Sequence, residues 1–311
     1  MECPLCSFDA RLEQSIDAQV ICSLWEKSGV NVSNLFKSNY ISKYDCRHCG
    51  LGFYSPACPG DDAFYGKLAE WDWYYKHPGK SEYKFTSDLI SPGSNIIDVG
   101  CGIGEFSTHL PPDVIFLGVE LSSKSVDIAI SLKRNVHQID ITKAPAHFKN
   151  HFDVVTCFQV LEHVVEIHSF FSALVSLCKP GGVVVIAVPN NDGFVGAAVN
   201  NIFNMPPHHI LLWNKQSLFY LAECHNLVVS DYVEEALSQV HRYWGFSVLV
   251  NRFFTRIMRI SPKVVDISFR GKILSKLSAI LARPLSRFFP QLLLSGHSSI
   301  LVLRKAVDEK L

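Results

Sequence analysis

The sequence predicts an α/β protein built on a mostly parallel sheet with helices on both faces. Three observations carry that expectation. Between residues 91 and 240, short apolar runs alternate with segments of helical periodicity, the pattern of repeated β-α units. The run GVVVIAV (182–188) is apolar along its whole length, as a central parallel strand buried on both faces requires. The first run ends in Asp98-Val99-Gly100-Cys101-Gly102-Ile103-Gly104, a glycine-rich turn of the kind that lets backbone bend tightly and approach a ligand where strand gives way to helix.

Each element then follows in order. NIIDVG (95–100) is the first strand, and EFSTHL (105–110) begins a helix. VIFLGVE (114–120) is the second strand, with a helix over 122–133, and VHQID (136–140) is the third. DVVTCFQV (153–160) is the fourth, followed by a helix around 166–178. Lys179-Pro180-Gly181-Gly182 reads as a helix stop and turn before the fifth strand, because proline and glycine both interrupt a helix. Asn214 is placed to cap a helix over 215–224. LVVSDYV (227–233) and SSILVLR (298–304) complete seven strands.

The flanking zones differ in composition. Residues 1–60 hold six of the ten cysteines, four of them in Cys3-Pro4-Leu5-Cys6 and Cys46-Arg47-His48-Cys49-Gly50. Two such turns can close a tetrahedral four-thiolate zinc site with no open position, which would be structural. The 39 residues between Cys6 and Cys46 exceed the usual ribbon gap and imply an excursion over roughly 10–40. A redox CxxC is the competing reading, without a thioredoxin-like setting to support it. Cys22 and Cys58 lack such partners. Residues 61–90 are aromatic and read as a linker or cap helix; Trp71, Tyr74 and Tyr75 can pack a flanking helix on the sheet.

Charge is distributed unevenly. The chain balances 29 Lys+Arg against 29 Asp+Glu, yet residues 242–295 hold ten basic residues and one acid, Asp266. The rest carries 19 basic and 28 acidic residues, so the zero sum conceals a basic arm on an acidic body. Arg252, Arg256 and Arg259 share a helical face, and Phe269, Ile273, Leu277 and Ile280 recur at 4-4-3 spacing before Pro284 breaks the pattern. A basic amphipathic helix pair can lie in a membrane interface; it can also cap a pocket, dimerise or stay solvated. With 48% hydrophobic residues the composition excludes disorder. The start MECPLCSFDA shows no secretory signal, and no window suits a spanning helix. These features predict a cytoplasmic protein, peripheral at the inner face of the membrane if the basic arm engages lipid. The neutral total and lack of a recognition motif speak against nucleic acid.

The glycine turn admits two ligands. A dinucleotide site wants GxGxxG, but position 105 is glutamate, and Asp98 and Glu105 would repel a pyrophosphate. Glu120 ends the second strand about 20 residues on, where an acid can hydrogen-bond ribose hydroxyls. A nucleoside carrying positive charge fits better. Here the sequence resembles the class I S-adenosylmethionine-dependent methyltransferases, through IIDVGCGIGEF, GVELS, Asp140, FDVVTCFQVLEHV and LCKPGGVVVIAVPN in the family's order over 93–240. The resemblance implies a Rossmann-like, mostly parallel seven-stranded sheet with helices on both faces. A small zinc-ribbon module (1–60) would precede the methyltransferase domain (91–311), which carries a helical insertion (241–295) before the last strand. It also implies that Asp98, Gly100, Cys101, Gly102 and Gly104 surround the amino-acid part of S-adenosyl-L-methionine. Glu120, with Leu121, would take the ribose, Asp140 and Ile141 the adenine, and Phe158 and Gln159 would line the site. Zinc would be held by Cys3, Cys6, Cys46 and Cys49, and an aromatic helix over 64–85 would roof the pocket, bringing Tyr65, Tyr74 or Tyr75 to the sulfonium.

Oxygen methylation also needs a base. Glu162-His163 lies just past the fourth strand, and His208-His209 lies in the long connection after the fifth, stiffened by Pro206 and Pro207. Related quinone and small-RNA enzymes carry Glu-x-x-Glu-His here as a divalent-ion site. In this chain the first carboxylate is Gln159, so Glu162, His163 and His209 would remain as ligands. The segment VPNNDGFVGAAVNNIFNMPPHHILLW is similar to one in zinc-ribbon methyltransferases of surface-polysaccharide pathways. Expected acceptors are accordingly a small-molecule or glycan hydroxyl, on a sugar, polysaccharide precursor or lipid-linked intermediate. A quinone-like lipophilic molecule is the alternative, and a catalytically silent binding module is the reading from another class.

Overall fold

The computed structural model describes residues 1–75, 80–288 and 294–306, without the side chains of residues 72 and 75. The Tyr75 side chain, expected near the cofactor, therefore lies outside the described residues. The chain forms two compact units. A cysteine unit gathers Met1–Pro59, Pro189–Ser217 and Glu234–Ser299, and a sheet unit gathers Gly60–Val188, Leu218–Val233 and Ile300–Leu311.

In the cysteine unit, β1 (Arg11–Asp17) and β2 (Tyr40–Asp45) pair antiparallel, as do β2 and β3 (Gly52–Ser55). The wide gap between the cysteine pairs thus holds β1 and α1 (Ala18–Glu26). Asp17 caps α1 by accepting from Gln19 N at 2.8 Å. Ile21 and Trp25, four residues apart and therefore on one helical face, are fully buried; Trp25 Nε1 donates to Pro206 O at 3.2 Å. Residues 189–217, which the sequence boundaries place inside the catalytic domain, join this unit because β9 (Leu211–Leu212) extends the sheet beside β3. The unit also holds α7 (Phe194–Ala197), α9 (Gln239–Ile257) and α10 (Phe269–Phe288).

The sheet unit contains β4 (Asn95–Val99), β5 (Ile115–Glu120), β6 (Val136–Gln138), β7 (Phe152–Phe158), β8 (Cys178–Pro189), β10 (Val228–Ala236) and β11 (Ser295–Arg304). Their order is β10-β11-β8-β7-β4-β5-β6. The pairs β4–β5, β4–β7, β5–β6 and β7–β8 are parallel. The expected α/β seven-stranded sheet is therefore present. Because β4 neighbours both β5 and β7, the strand order reverses beside it, which opens a crevice at the strands' carboxyl ends. Helices α2 (Asp62–Leu68), α3 (Asp72–Tyr75) and α4 (Ser81–Ser87) precede β4; α5 (Ser123–Ser131), α6 (Ile167–Leu177) and α8 (Lys215–Cys224) follow β5, β7 and β9. Asn214 does cap α8, through reciprocal bonds with Ser217 at 2.9 Å each. One core cluster joins Ile96, Val154, Val185 and Val302 to Phe106, Phe158 and Tyr83.

Three local expectations are corrected. The segment after the glycine loop is a 3-10 turn, Glu105–His109, since Pro111 and Pro112 follow and cannot extend a helix. KPGG is not a free turn but part of β8: Cys178 pairs with Phe152 and Val183 with Val154. The surplus residues form a bulge. Pro284 does not end α10, which continues to Phe288. The proline is exposed, so water can satisfy the carbonyl its missing N–H leaves without a partner.

Candidate cofactor cavity and cysteine centre

A cavity of about 340 Å³ opens in the sheet unit beside the β4–β7 switch point. Its lining includes Gly100, Glu120, Leu121, Asp140, Ile141, Gln159 and His163, all expected from sequence, together with Tyr65 and Tyr74. Gly100 follows β4 with φ +70°, where a Cβ would overlap Val160 Cγ2. Only glycine allows this turn. Gln159 follows β7 with φ +57°, an uncommon conformation for a side chain of its size, and its N–H donates to Ala187 O at 2.7 Å. The loops after β4 and β7 thus meet at the cavity wall.

Glu120 is held from several sides. Oε2 accepts from Gly102 N at 2.9 Å, and Oε1 from Leu121 N and Ser122 N at 2.8 and 2.9 Å. The glycine loop consequently positions the acid as well as bending away from the ligand. Asp140 accepts from Thr142 N and Oγ1 at 3.0 and 2.7 Å, which holds its carboxyl below the usual range. A glycine-walled recess with a fixed acid beside it fits the ribose of S-adenosylmethionine, and Asp140–Ile141 fits the adenine end.

Other expected residues act from behind the lining. Asp98 is buried at the end of β4. Burial pushes its carboxyl up to about 7, against the 2.7 Å bond donated by Thr156 Oγ1 and the charge of Lys80. Cys101 packs among Val126, Ala129 and Val136, and Phe158 packs in the core with Tyr83 and Phe106. Sequence reasoning missed Val160 and Phe170 in the lining, as well as Asp61 and Asp62 at the start of α2. Val160 follows Gln159 directly, so the end of the fourth strand was the signal available.

His163 lies in a 3-10 turn, Leu161–His163. Its Nδ1 is 3.0 Å from Tyr65 Oη. The adjacent Glu162 is 1% exposed, and burial raises its carboxyl to about 8; Oε1 is 3.9 Å from His163 Nε2. For a divalent ion, Gln159 offers a neutral amide and Glu162 an acid that burial keeps protonated. That donor set suits Mg²⁺ poorly, since it favours charged oxygens. His208 and His209 belong to the cysteine unit and are buried there. Their ring centroids lie 4.4 Å apart, with His208 Nδ1 3.1 Å from Phe203 O and His209 Nδ1 3.2 Å from Asn204 Oδ1.

The cysteine centre brings Cys3, Cys6, Cys46 and Cys49 together, their sulfurs all within 4.8 Å of one another. Cys3 and Cys49 are 3.6 Å apart, and Cys6 and Cys46 3.4 Å. Zinc–thiolate bonds of about 2.3 Å would place tetrahedral sulfurs ~3.8 Å apart, so the cluster fits the ion. Its two halves repeat one backbone motif. Cys3 N donates to Phe8 O and Ser7 N to Cys3 O; Cys46 N donates to Leu51 O and Gly50 N to Cys46 O, all at 2.9 Å. Ser7 and Gly50 both have positive φ. The Phe8 and His48 rings stack at 3.8 Å. A hydrogen bond from Cys49 pulls the Cys3 thiol down to about 5, while Cys49 is raised; burial pushes Cys6 up to about 11. Four crowded thiols cannot all ionise without a cation.

Sheet order, glycine loop and strand-ending acid define an α/β protein with a ligand-sized crevice at the carboxyl ends of its strands. A family model described as a methyltransferase domain matches residues 74–248; the match spans more than half the chain, which belongs to that family. A ubiquinone biosynthesis O-methyltransferase of Azoarcus sp. (strain BH72) is 36% identical over 107 residues, 32% of this chain and 46% of that protein. Another, from Coxiella burnetii (strain Dugway 5J108-111), is 29% identical over 130 residues, covering 37% and 53%. The chain thus spans about half the length of these curated relatives. Among solved structures, an S-adenosylmethionine dependent methyltransferase from Mesorhizobium loti gives a TM-score of 0.47 at 15% identity, covering 73% of this chain and 99% of that one.

Proposed function

We propose that the protein is an S-adenosylmethionine-dependent O-methyltransferase acting on a hydroxyl of a lipophilic or lipid-linked small molecule, with a structural zinc ion at the four cysteines. The observation that carries the reading is one cavity lined by both the backbone-anchored Glu120 and the Tyr65–His163 pair. The bound cofactor would supply an electrophilic methyl group on a sulfonium. Glu120 would bind the ribose hydroxyls, Gly100 would admit the ligand close to the backbone, and Asp140 with Ile141 would receive the adenine. Tyr65, Tyr74 and Phe170 bring aromatic faces to the cavity, where a cation is favoured.

His163 takes the role of base in this reading. With its Nδ1 3.0 Å from Tyr65 Oη, the His163 ring is held at the cavity wall, where a histidine can take the proton leaving the acceptor hydroxyl. His163 is the base in this reading because it lines the cavity, whereas His208 and His209 are not part of that lining. No step is routed through a catalytic metal. Among acceptors, the names of the relatives support a quinone-like phenol, whereas the resemblance of segment 188–213 to polysaccharide-pathway enzymes supports a lipid-linked sugar.

Calorimetry and transfer of a labelled methyl group test the assignment together, with a polyprenyl phenol and a lipid-linked sugar as acceptors. Glu120→Ala is expected to weaken cofactor binding ~100-fold or more, since charged hydrogen bonds contribute ~1.5–3 kcal/mol each. His163→Ala should leave binding intact and slow turnover ~10²–10⁴-fold. Wild-type protein that binds no cofactor, or full turnover in His163→Ala, would overturn the reading.

A further inference from the structure

The outer faces of α9 and α10 carry a surface that methyl transfer does not use. Within the cysteine unit, α9 packs inward on α7 through Val248 against Phe194 and Val195. Helices α9 and α10 also pack on each other, and Tyr243 Oη donates to Ala279 O at 3.0 Å. What faces away is apolar. Phe253 and Ile257 lie one turn apart on α9, and Phe269, Ile273 and Leu277 follow at successive turns on α10, with Phe288 at its end. Phe253 is 60% exposed, Phe269 78% and Phe288 83%. Patches of this kind on a soluble chain mark an interaction surface.

The flanking side chains indicate the partner. Arg252, Arg256 and Arg259 on and just past α9, and Lys272, Lys276 and Arg283 on α10, are all exposed. Residues 242–295 contain only Asp266 against ten basic residues. We propose that the α9–α10 hairpin docks flat on an anionic bilayer, its apolar stripe entering the acyl boundary while the arginines and lysines meet headgroup phosphates. Charge complementarity favours this over an isologous pairing of two copies, which would bring like-signed arms together. Among the described residues no helix is long and apolar enough to cross a membrane, so the contact is interfacial. The inference does not depend on the identity of the methyl acceptor.

Vesicle flotation of the full chain tests it. The protein should float with phosphatidylcholine vesicles containing roughly a quarter phosphatidylglycerol, not with phosphatidylcholine alone, and should be released at about 0.5 M salt, where screening is nearly complete. The combined variant Phe253→Ser, Ile257→Ser should lower partitioning about tenfold, and Arg252→Glu, Arg256→Glu, Lys276→Glu should abolish it. These side chains are exposed, so circular dichroism is expected to match wild type and confirm that the loss is at the surface. Three results would overturn the proposal: no flotation at low salt, equal binding to neutral vesicles, or unchanged binding by the charge-reversed variant. A concentration-dependent dimer abolished by Phe253→Ser, Ile257→Ser would assign the stripe to a second copy and overturn it equally.

Discussion

The cysteine centre and the candidate cofactor cavity are built by opposite means. The first converges side chains: two copies of one six-residue backbone motif present four sulfurs, and the intervening strand and helix need only return the second copy to the first. The second is made largely by backbone. A left-handed Gly100 and the Gly102 N–H that fixes Glu120 belong to the connection after β4, and a left-handed Gln159 to the connection after β7. A side-chain site tolerates changes around it and fails when a ligand is lost. A backbone site fails by degrees, as conformations and buried charges change beneath it.

The largest expected effect lies at the cysteines. Cys46→Ser should drop bound zinc below one equivalent and remove the dependence of stability on metal. Structural zinc contributes ~10 kcal/mol or more of apparent folding energy in small domains, and here the shift should read as a chelator-sensitive melting transition in wild type that the variant lacks. Zinc content unchanged in the variant, or wild type indifferent to a chelator, would show that the sulfurs converge for another reason.

Asp98 provides the next contrast, a buried charge beneath the backbone site. Its folded carboxyl sits at about 7, against ~3.9 in an unfolded chain. Between those values the native state keeps a proton that the unfolded state has released. Stability therefore falls as pH rises from about 4 through 7, then levels off. Glu162, raised to about 8, acts in the same direction. Asp98→Asn cannot titrate, so its free energy of unfolding in urea should fall less between pH 5 and pH 8 than that of wild type, by about 2–3 kcal/mol. Parallel pH dependence in both proteins would mean that the ionisation of Asp98 is not linked to folding.

The same contrast decides what could be read before any coordinates. The CxxC spacings named four cysteines whose sulfurs converge, because a knuckle is local and its chemistry resides in the side chain. The seven apolar runs named the sheet, because burial on both faces imposes a pattern on each strand. Gly100 and Glu120 were legible as strand-end residues. Cys101 and Phe158 adjoin the same loops, yet face the packed interior; sequence position gives the end of a strand but not the direction of each side chain. Likewise 189–217 read as a loop of the catalytic domain, since a two-residue strand such as β9 leaves no periodicity to detect. The KPGG bulge and the continuation of α10 through Pro284 were hidden because glycine and proline signal an interruption without saying whether pairing or helix resumes.

Gly100 tests the distinction most directly. In Gly100→Ala the new methyl group overlaps Val160 Cγ2 while the backbone must keep φ +70°. These penalties are separable. Forcing an L-residue into the left-handed region costs ~1 kcal/mol, and overpacking a tight contact ~1–3 kcal/mol. The Gly100→Ala, Val160→Ala double variant removes the overlap but not the strain, so it should regain the second contribution relative to Gly100→Ala and retain the first. Urea unfolding of the four proteins in the cycle yields the coupling between the two positions. If the substitutions are additive, the loops after β4 and β7 do not restrain each other, and the cavity wall would have to be held by side chains after all.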